Sequence, residues 1–323
     1  MRPVIFFGSP SFSATLLTMM HDNAHALRIK IALVITQPSR PAGRGMASTP
    51  TPVMSYAQSQ NIPTHIYSKD TVPTLVQTLK TFVNPIGVVF AFNEMIPAAI
   101  LDIFPQGLWN VHPSLLPAYR GASPIAYPLC LGETTLGVTV MRMVKAMDAG
   151  PILAQLTVQT DTTTSRDAIT TTLTKHGFAL LTNLMQKSPA DLASHSYEQN
   201  HTLASYTRKI LRSDGFIEHE ALSSWLHGSS VKLETSTLLD SFYKRNPQHT
   251  PPEYLAPSVL FDLWRGLSPW PGLWTTVHIK DVETRLKITG VRMLNEKPLI
   301  THVQMEGKKE VLFSQWNEVY KAF

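Results

Sequence analysis

Short apolar runs at residues 4–7, 29–35, 64–67, 87–91 and 108–112 alternate with amphipathic stretches at 11–21, 53–60, 72–81 and 98–104. Short apolar runs bounded by turn residues read as buried strands, and the stretches between them carry a helical period. Alternation of this kind points to one architecture, an α/β fold with a parallel, doubly wound sheet. Such sheets bind ligands beyond the carboxyl ends of their strands. Attention therefore falls on residues at strand ends, chiefly Gly8 and His112.

The pattern continues with a helix at 124–131, strands at 137–144 and 152–159, and a long helix at 162–186 capped by Thr164 or Ser165. From Ser188-Pro189 to Tyr206 the chain turns polar and poorly periodic, and residues 189–206 read as a linker after a first domain at 1–188. In the remaining domain, 207–323, short strands at 274–279, 285–293, 301–306 and 311–314 follow one another with little helix, the pattern of a small barrel. Residues 223–257, rich in Ser, Thr and Pro, read as an irregular insertion.

Composition narrows the classes. Of 323 residues, 43% are hydrophobic and 16% charged, and no apolar run approaches the ~20 residues of a membrane span. The run that ends at Gly8-Ser9-Pro10 is too short for a secretory segment and reads as a first strand with its turn. Cys130 is the single cysteine, so there is no internal disulfide and no cysteine zinc site. Between Leu129 and Leu131 it reads as a small buried hydrophobe. The expectation is a cytoplasmic, monomeric protein without a metal. Lys and Arg number 28 against 23 Asp and Glu, a spread-out excess that permits a polyanionic partner without specifying one.

The chemistry concentrates at Asn110-Val111-His112-Pro113. Two residues apart on a strand end, Asn110 and His112 project to the same face. Pro113 stops the strand and holds His112 out of helical dihedrals. Asp148, in Met147-Asp148-Ala149-Gly150, follows the strand at 137–144, which is expected to end on the same sheet edge. There it would favour the imidazolium and orient the ring. Asn110 would serve as a neutral donor to an oxygen that becomes negative during acyl transfer. Each residue also has a plain structural reading, His112 as a turn residue and Asp148 as a turn former.

The segment from Asn110 to Gly150 resembles the catalytic core of the formyltransferases that use 10-formyltetrahydrofolate, with Asn-x-His at Asn110/His112, the run Ser114-Leu115-Leu116-Pro117, and Asp-x-Gly at Asp148/Gly150. The resemblance implies a Rossmann-like domain in which Asn110, His112 and Asp148 are catalytic. It also implies a folate site formed by Phe90, Phe92, Asn93, Met95, Ile96, Ser114, Leu115, Leu116, Pro117 and Gly150. Where the family usually has an aromatic-Gly pair, this chain has Phe92-Asn93, and Asn tolerates positive φ better than most residues.

The acceptor is suggested by Thr36-Gln37-Pro38-Ser39-Arg40-Pro41-Ala42-Gly43-Arg44-Gly45, a loop with two arginines and no acid. It resembles the loop by which methionyl-tRNA formyltransferases engage the acceptor stem, with Arg40 and Arg44 gripping phosphates. Members often carry lysines next, where this chain has Met46-Ala47-Ser48. Tyr119-Arg120-Gly121-Ala122-Ser123-Pro124-Ile125 resembles the family's Arg-Gly-Ala-x-Pro-Ile loop. Ser205-Tyr206-Thr207-Arg208-Lys209-Ile210 resembles the entry to the C-terminal domain of the tRNA enzymes, which adds Arg208 and Lys209 to the implied tRNA contacts. Ser268-Pro269-Trp270-Pro271-Gly272 resembles a segment there in which Trp270 reads as a packing anchor. The resemblance thus implies an OB-like C-terminal barrel and formyl transfer to the α-amine of initiator methionyl-tRNA. The alternatives are an amino sugar nucleotide as acceptor, or a silent folate- or RNA-binding protein.

Overall fold

The computed structural model describes residues 1–42, 47–280, 282–295 and 297–323. Its chain forms two compact units, each assembled from separate stretches. The first comprises Met1–Arg120, Gly137–Val158 and Thr170–Ala204, and the second Gly121–Leu136, Gln159–Ile169 and Ser205–Phe323.

In the first unit the expected alternation appears as β1 (Arg2–Gly8), α1 (Ser11–Asp22), β2 (Ile29–Thr36), α2 (Pro52–Ser59), β3 (Thr64–Ile66), α3 (Val72–Lys80), β4 (Ile86–Phe90), α4 (Ala98–Leu101) and β5 (Leu108–His112). Strands β6 (Thr135–Arg142) and β7 (Ile152–Gln159) complete a seven-stranded sheet in the order β7-β6-β5-β4-β1-β2-β3. The pairs β2·β3, β1·β2, β1·β4 and β4·β5 are parallel. From β1 the order runs one way through β2 and the other way through β4, so the chain reverses direction between β1 and β4. Gly8 and Phe90, partners in register, mark the carboxyl ends at that switch point, where α/β sheets open a crevice.

One departure from a purely parallel sheet matters for the site. Strand β6 runs antiparallel to β5, pairing His112 with Thr139 and Trp109 with Arg142. Residues 113–134 bring the chain back along β5 in the opposite sense, so β6 ends beside the beginning of β5. The expectation that it ends on the edge occupied by His112 is corrected accordingly.

Alternating side chains of the strands build the core: Ile5, Phe7, Leu33, Ile35, Val89 and Leu108 pack with Tyr67, Leu75, Leu79, Phe92, Ile96, Ile100 and Phe104. Residues 189–206, read from the sequence as polar and aperiodic, contain the helix α7 (Pro189–His195) and a turn of 3-10 helix at His201–Leu203. Helix α6 (Arg166–Met185) precedes them. Ser188 and Asp191 form a capping box at the start of α7, with Pro189 in its first turn, and Leu192 is buried. One apolar anchor is too sparse to register as a period.

The second unit contains α5 (Ala126–Cys130), α8 (His219–Leu226), α9 (Thr237–Arg245), α10 (Val259–Leu267) and α11 (Phe313–Tyr320). It also holds β8 (Leu273–Ile279), β9 (Val282–Leu294), β10 (Lys297–Met305) and β11 (Val311–Leu312), paired as an antiparallel sheet in that order. That order is an open sheet among the described residues. The stretch 223–257 is ordered by α9, whose Leu238, Leu239 and Phe242 are buried. Asn246 closes it: its amide donates to the Phe242 and Tyr206 carbonyls at 2.8 and 3.0 Å, and its oxygen accepts from the Tyr206 N–H at 2.6 Å. The strand expected at 311–314 gives way after two residues to α11, because Trp316 is buried and a helix brings Phe313 onto it. Cys130 is buried as expected, and burial pushes its thiol up from the ordinary value. Trp270 is 53% exposed, not a packing anchor, because its Pro-Trp-Pro segment forms a connection between α10 and β8 and connections lie at the surface. Trp274 packs instead, against Phe216 with centroids 4.7 Å apart and beneath the Arg285 guanidinium at 4.3 Å.

Candidate active site

Strand β5 presents Asn110 and His112 at its carboxyl end, both buried. The Nε2 atom of His112 lies 3.0 Å from the Tyr119 carbonyl. A carbonyl can only accept, so Nε2 carries hydrogen. The other ring nitrogen, Nδ1, lies 3.7 Å from Oδ1 of Asp148. Asn110 Nδ2 donates to that same oxygen at 3.4 Å. The amide, imidazole and carboxylate nominated from the sequence are therefore together.

Asp148 gets there by a route the sequence did not suggest. The chain leaves β6 at Arg142 and returns through residues 143–151 before β7 begins. Asp148 itself adopts φ +50°, a conformation of about 1–3 kcal/mol strain for a residue with a β-carbon. Gly150 makes the return possible, since a Cβ there would overlap the Arg142 carbonyl oxygen.

Ser114 to Pro117 form a closed turn beside His112. Ser114 Oγ donates to the Ala118 carbonyl at 2.7 Å, and Thr139 Oγ1 donates to the Ser114 carbonyl at 2.7 Å. Gln155 Nε2 donates to the Leu116 carbonyl at 3.0 Å and to Thr139 Oγ1 at 2.7 Å. Leu116 packs on Met141 and Ile152, whereas Leu115 and Pro117 are half-buried. Here Ser114 and Leu116 shape the turn, and Leu115 and Pro117 carry its partly accessible surface.

The loop after β4 has the same division of labour. Phe90 packs edge-on against Phe12, and Phe92 against both Phe7 and Tyr67. Phe92 and Ile96 belong to the core, while Asn93 and Met95 are exposed. Tyr67 donates its hydroxyl to the Met95 carbonyl at 3.0 Å, and burial raises that phenol above its ordinary pKa. Ala91 and Asn93 stand at φ +49° and +58°. Asn93 thus holds the positive φ that made it acceptable in place of Gly.

Of the implied tRNA contacts, Arg44 lies outside the described residues, and of Arg40 only the backbone is described, in the short strand Arg40–Ala42. Arg208 is held by Asp214 through two hydrogen bonds, 2.7 and 2.6 Å, which raise the guanidinium pKa further. Lys209 is exposed. Sequence reasoning missed Gln199, a buried residue whose amide donates to the Asp148 and Gly150 carbonyls at 2.9 and 2.7 Å. A single Gln in a polar, aperiodic stretch gives no signal of such a role.

Residues 1–184 match the family described as formyl transferase. The chain belongs to the formyl transferase family. Among its relatives is a methionyl-tRNA formyltransferase of Chloroflexus aurantiacus, 38% identical over 217 residues that cover 67% of this chain and 68% of the relative. The methionyl-tRNA formyltransferase of Protochlamydia amoebophila is 30% identical over 338 residues, 97% of this chain and 93% of its own. Among solved structures, an N-formyltransferase of Helicobacter canadensis, in complex with folinic acid and dTDP-3-aminofucose, has a TM-score of 0.55 over 97% of this chain and 99% of its own. At 15% identity that likeness concerns the fold. Asn110, His112 and Asp148 lie within the matched residues.

Proposed function

We propose that the protein transfers the formyl group of 10-formyltetrahydrofolate to the α-amine of initiator methionyl-tRNA. The observation that carries the chemistry is the shared carboxylate oxygen of Asp148, which faces His112 Nδ1 at 3.7 Å and Asn110 Nδ2 at 3.4 Å in a formyl transferase chain. The acceptor is supported by the relatives' names and by one of them matching nearly the whole chain.

In this reading the acceptor amine attacks the formyl carbon of the donor, the bond from that carbon to N10 then breaks, and tetrahydrofolate leaves with a proton on N10. The Asn110 amide and protonated His112 stabilise the negative oxygen that develops there. Asp148 orients His112 and accepts the proton released by the amine, directly or through water. The donor is assigned to the crevice at the switch point, where α/β sheets bind ligands. Ala91 and Asn93 are held at positive φ above a packed floor of Phe92 and Ile96, so the loop is shaped in advance, as ligand loops that hold strain require. Phe90 and the turn from Ser114 to Pro117 complete the folate-binding set with Asn93, Met95 and Gly150. The second unit, with its four-stranded sheet as an OB-like module, contributes Arg208 and Lys209 to tRNA binding, alongside Arg40 and Arg44. The protein works as a cytoplasmic monomer without a metal.

The test is formyl transfer from 10-formyltetrahydrofolate to methionyl-tRNA, uncharged tRNA and a panel of amino sugar nucleotides. Formylation of methionyl-tRNA alone is expected. Transfer to a sugar keeps the chemistry and overturns the acceptor, and binding of donor or RNA without transfer to any acceptor overturns both.

A further inference from the structure

Asp148 stands on an exposed return loop, with Val144 and Met147 open to solvent, at a strained φ of +50°. A carboxylate so placed keeps its distance to His112 only if its backbone is held. Gln199 Nε2 donates to both the Asp148 and the Gly150 carbonyls, at 2.9 and 2.7 Å. Its Oε1 accepts from Arg120 Nη2 at 2.6 Å and from Arg120 Nε at 3.2 Å. Gln199 is 5% and Arg120 2% exposed, so these bonds form where water cannot substitute for them. Arg120 Nη2 also reaches His201 Nδ1 at 2.9 Å.

Arg120 directly follows Tyr119, whose carbonyl accepts from His112 Nε2 at 3.0 Å. Both partners of the imidazole therefore trace to one buried guanidinium. The Tyr119 carbonyl is one peptide bond away, and Asp148 is reached through the amide of Gln199. We infer that Gln199, oriented by Arg120, is a positioning residue for formyl transfer: it sets the separation of the Asp148 carboxylate from His112 and Asn110. The inference rests on the reading of those residues as the transfer site. Only an amide suits the position, because it accepts from the guanidinium at one end and donates to two carbonyls at the other. A glutamate keeps the size and the arginine contact but turns a carboxylate oxygen toward the two carbonyls.

Gln199→Glu and Gln199→Ala, measured beside His112→Ala, test it. Gln199→Glu is expected to unfold within a few degrees of the parent. Its kcat should fall by about 10- to 100-fold, as a misplaced catalytic group costs, with both KM values nearly unchanged. The pH dependence of kcat should also move, which a purely structural residue would not cause. If Gln199→Ala fails to fold, Gln199→Glu still decides. Parental kcat in folded Gln199→Glu, or a loss confined to KM, overturns the inference while an inactive His112→Ala leaves the site reading standing. Parental rates in His112→Ala overturn that reading, and this inference with it.

Discussion

With Nε2 of His112 committed to the Tyr119 carbonyl, Nδ1 is the ring nitrogen left to face Asp148, and Asn110 reaches the same carboxylate oxygen. The ring is thereby anchored through Nε2 before substrate arrives, while Nδ1, 3.7 Å from the carboxylate and beyond hydrogen-bond distance of it, stays available as a donor to the developing oxyanion. Removal of one such donor costs about 10²–10³ in turnover, and Asn110→Ala or His112→Ala is expected to lose that much in kcat with an unchanged unfolding midpoint. Single-turnover transfer with saturating donor is the measurement, and near-normal rates in either variant would falsify the assignment. At this scale the sequence was highly legible: residue spacing, Pro113 and Asp-x-Gly brought three groups to attention, and the structure places the Asp148 carboxylate 3.4 Å from Asn110 and 3.7 Å from His112. It was silent on Gln199 and Arg120, because a residue that acts through main-chain carbonyls leaves no pattern in side-chain types.

At the scale of elements, helix α7 and helix α10 show different limits of sequence reading. Leu192, the buried residue of α7, loses contacts on truncation, and Leu192→Ala is expected to cost about 2–5 kcal/mol in chemical denaturation. A cost below about 0.5 kcal/mol would show that the helix is not packed as described. On α10, burial lifts Asp262 to about 6, with Arg265 opposing the rise. A carboxyl whose folded pKa lies above its unfolded value takes up a proton on folding, so its ionisation disfavours the folded state as pH rises through 6. The parent should therefore lose stability relative to Asp262→Asn between pH 5 and pH 7. Thermal unfolding of both proteins at the two pH values checks this, and a pH-independent difference would contradict it. The expected strands of the sheet in the first unit were found within a few residues, since a buried strand announces itself by apolar content. Helices α9 and α11 were not, because each is defined by which few side chains it buries within the second unit.

For the molecule as a whole, the formal charge of +5 becomes informative only with a polyanionic acceptor in view. Contacts to phosphates release counterions, so KM for methionyl-tRNA should rise steeply with salt while KM for the donor changes little. Arg44→Ala should raise KM for tRNA and flatten that salt slope, leaving the folate site untouched; an unaltered KM for tRNA would remove the loop from the acceptor site. The two units also draw on interleaved stretches, with residues 121–136 and 159–169 joining the second. Local pattern cannot reveal such interleaving, since composition reports whether a segment is buried and not what buries it. By itself the sequence determined the α/β alternation, the strand-end Asn-His pair and the family, because these depend on periodicity and on short spacings along the backbone. The tertiary structure alone decided the antiparallel turn of β6, the return of Asp148 at positive φ and the buried Arg120–Gln199 support. Those features depend on hydrogen bonds between residues distant in the chain, which no local pattern encodes.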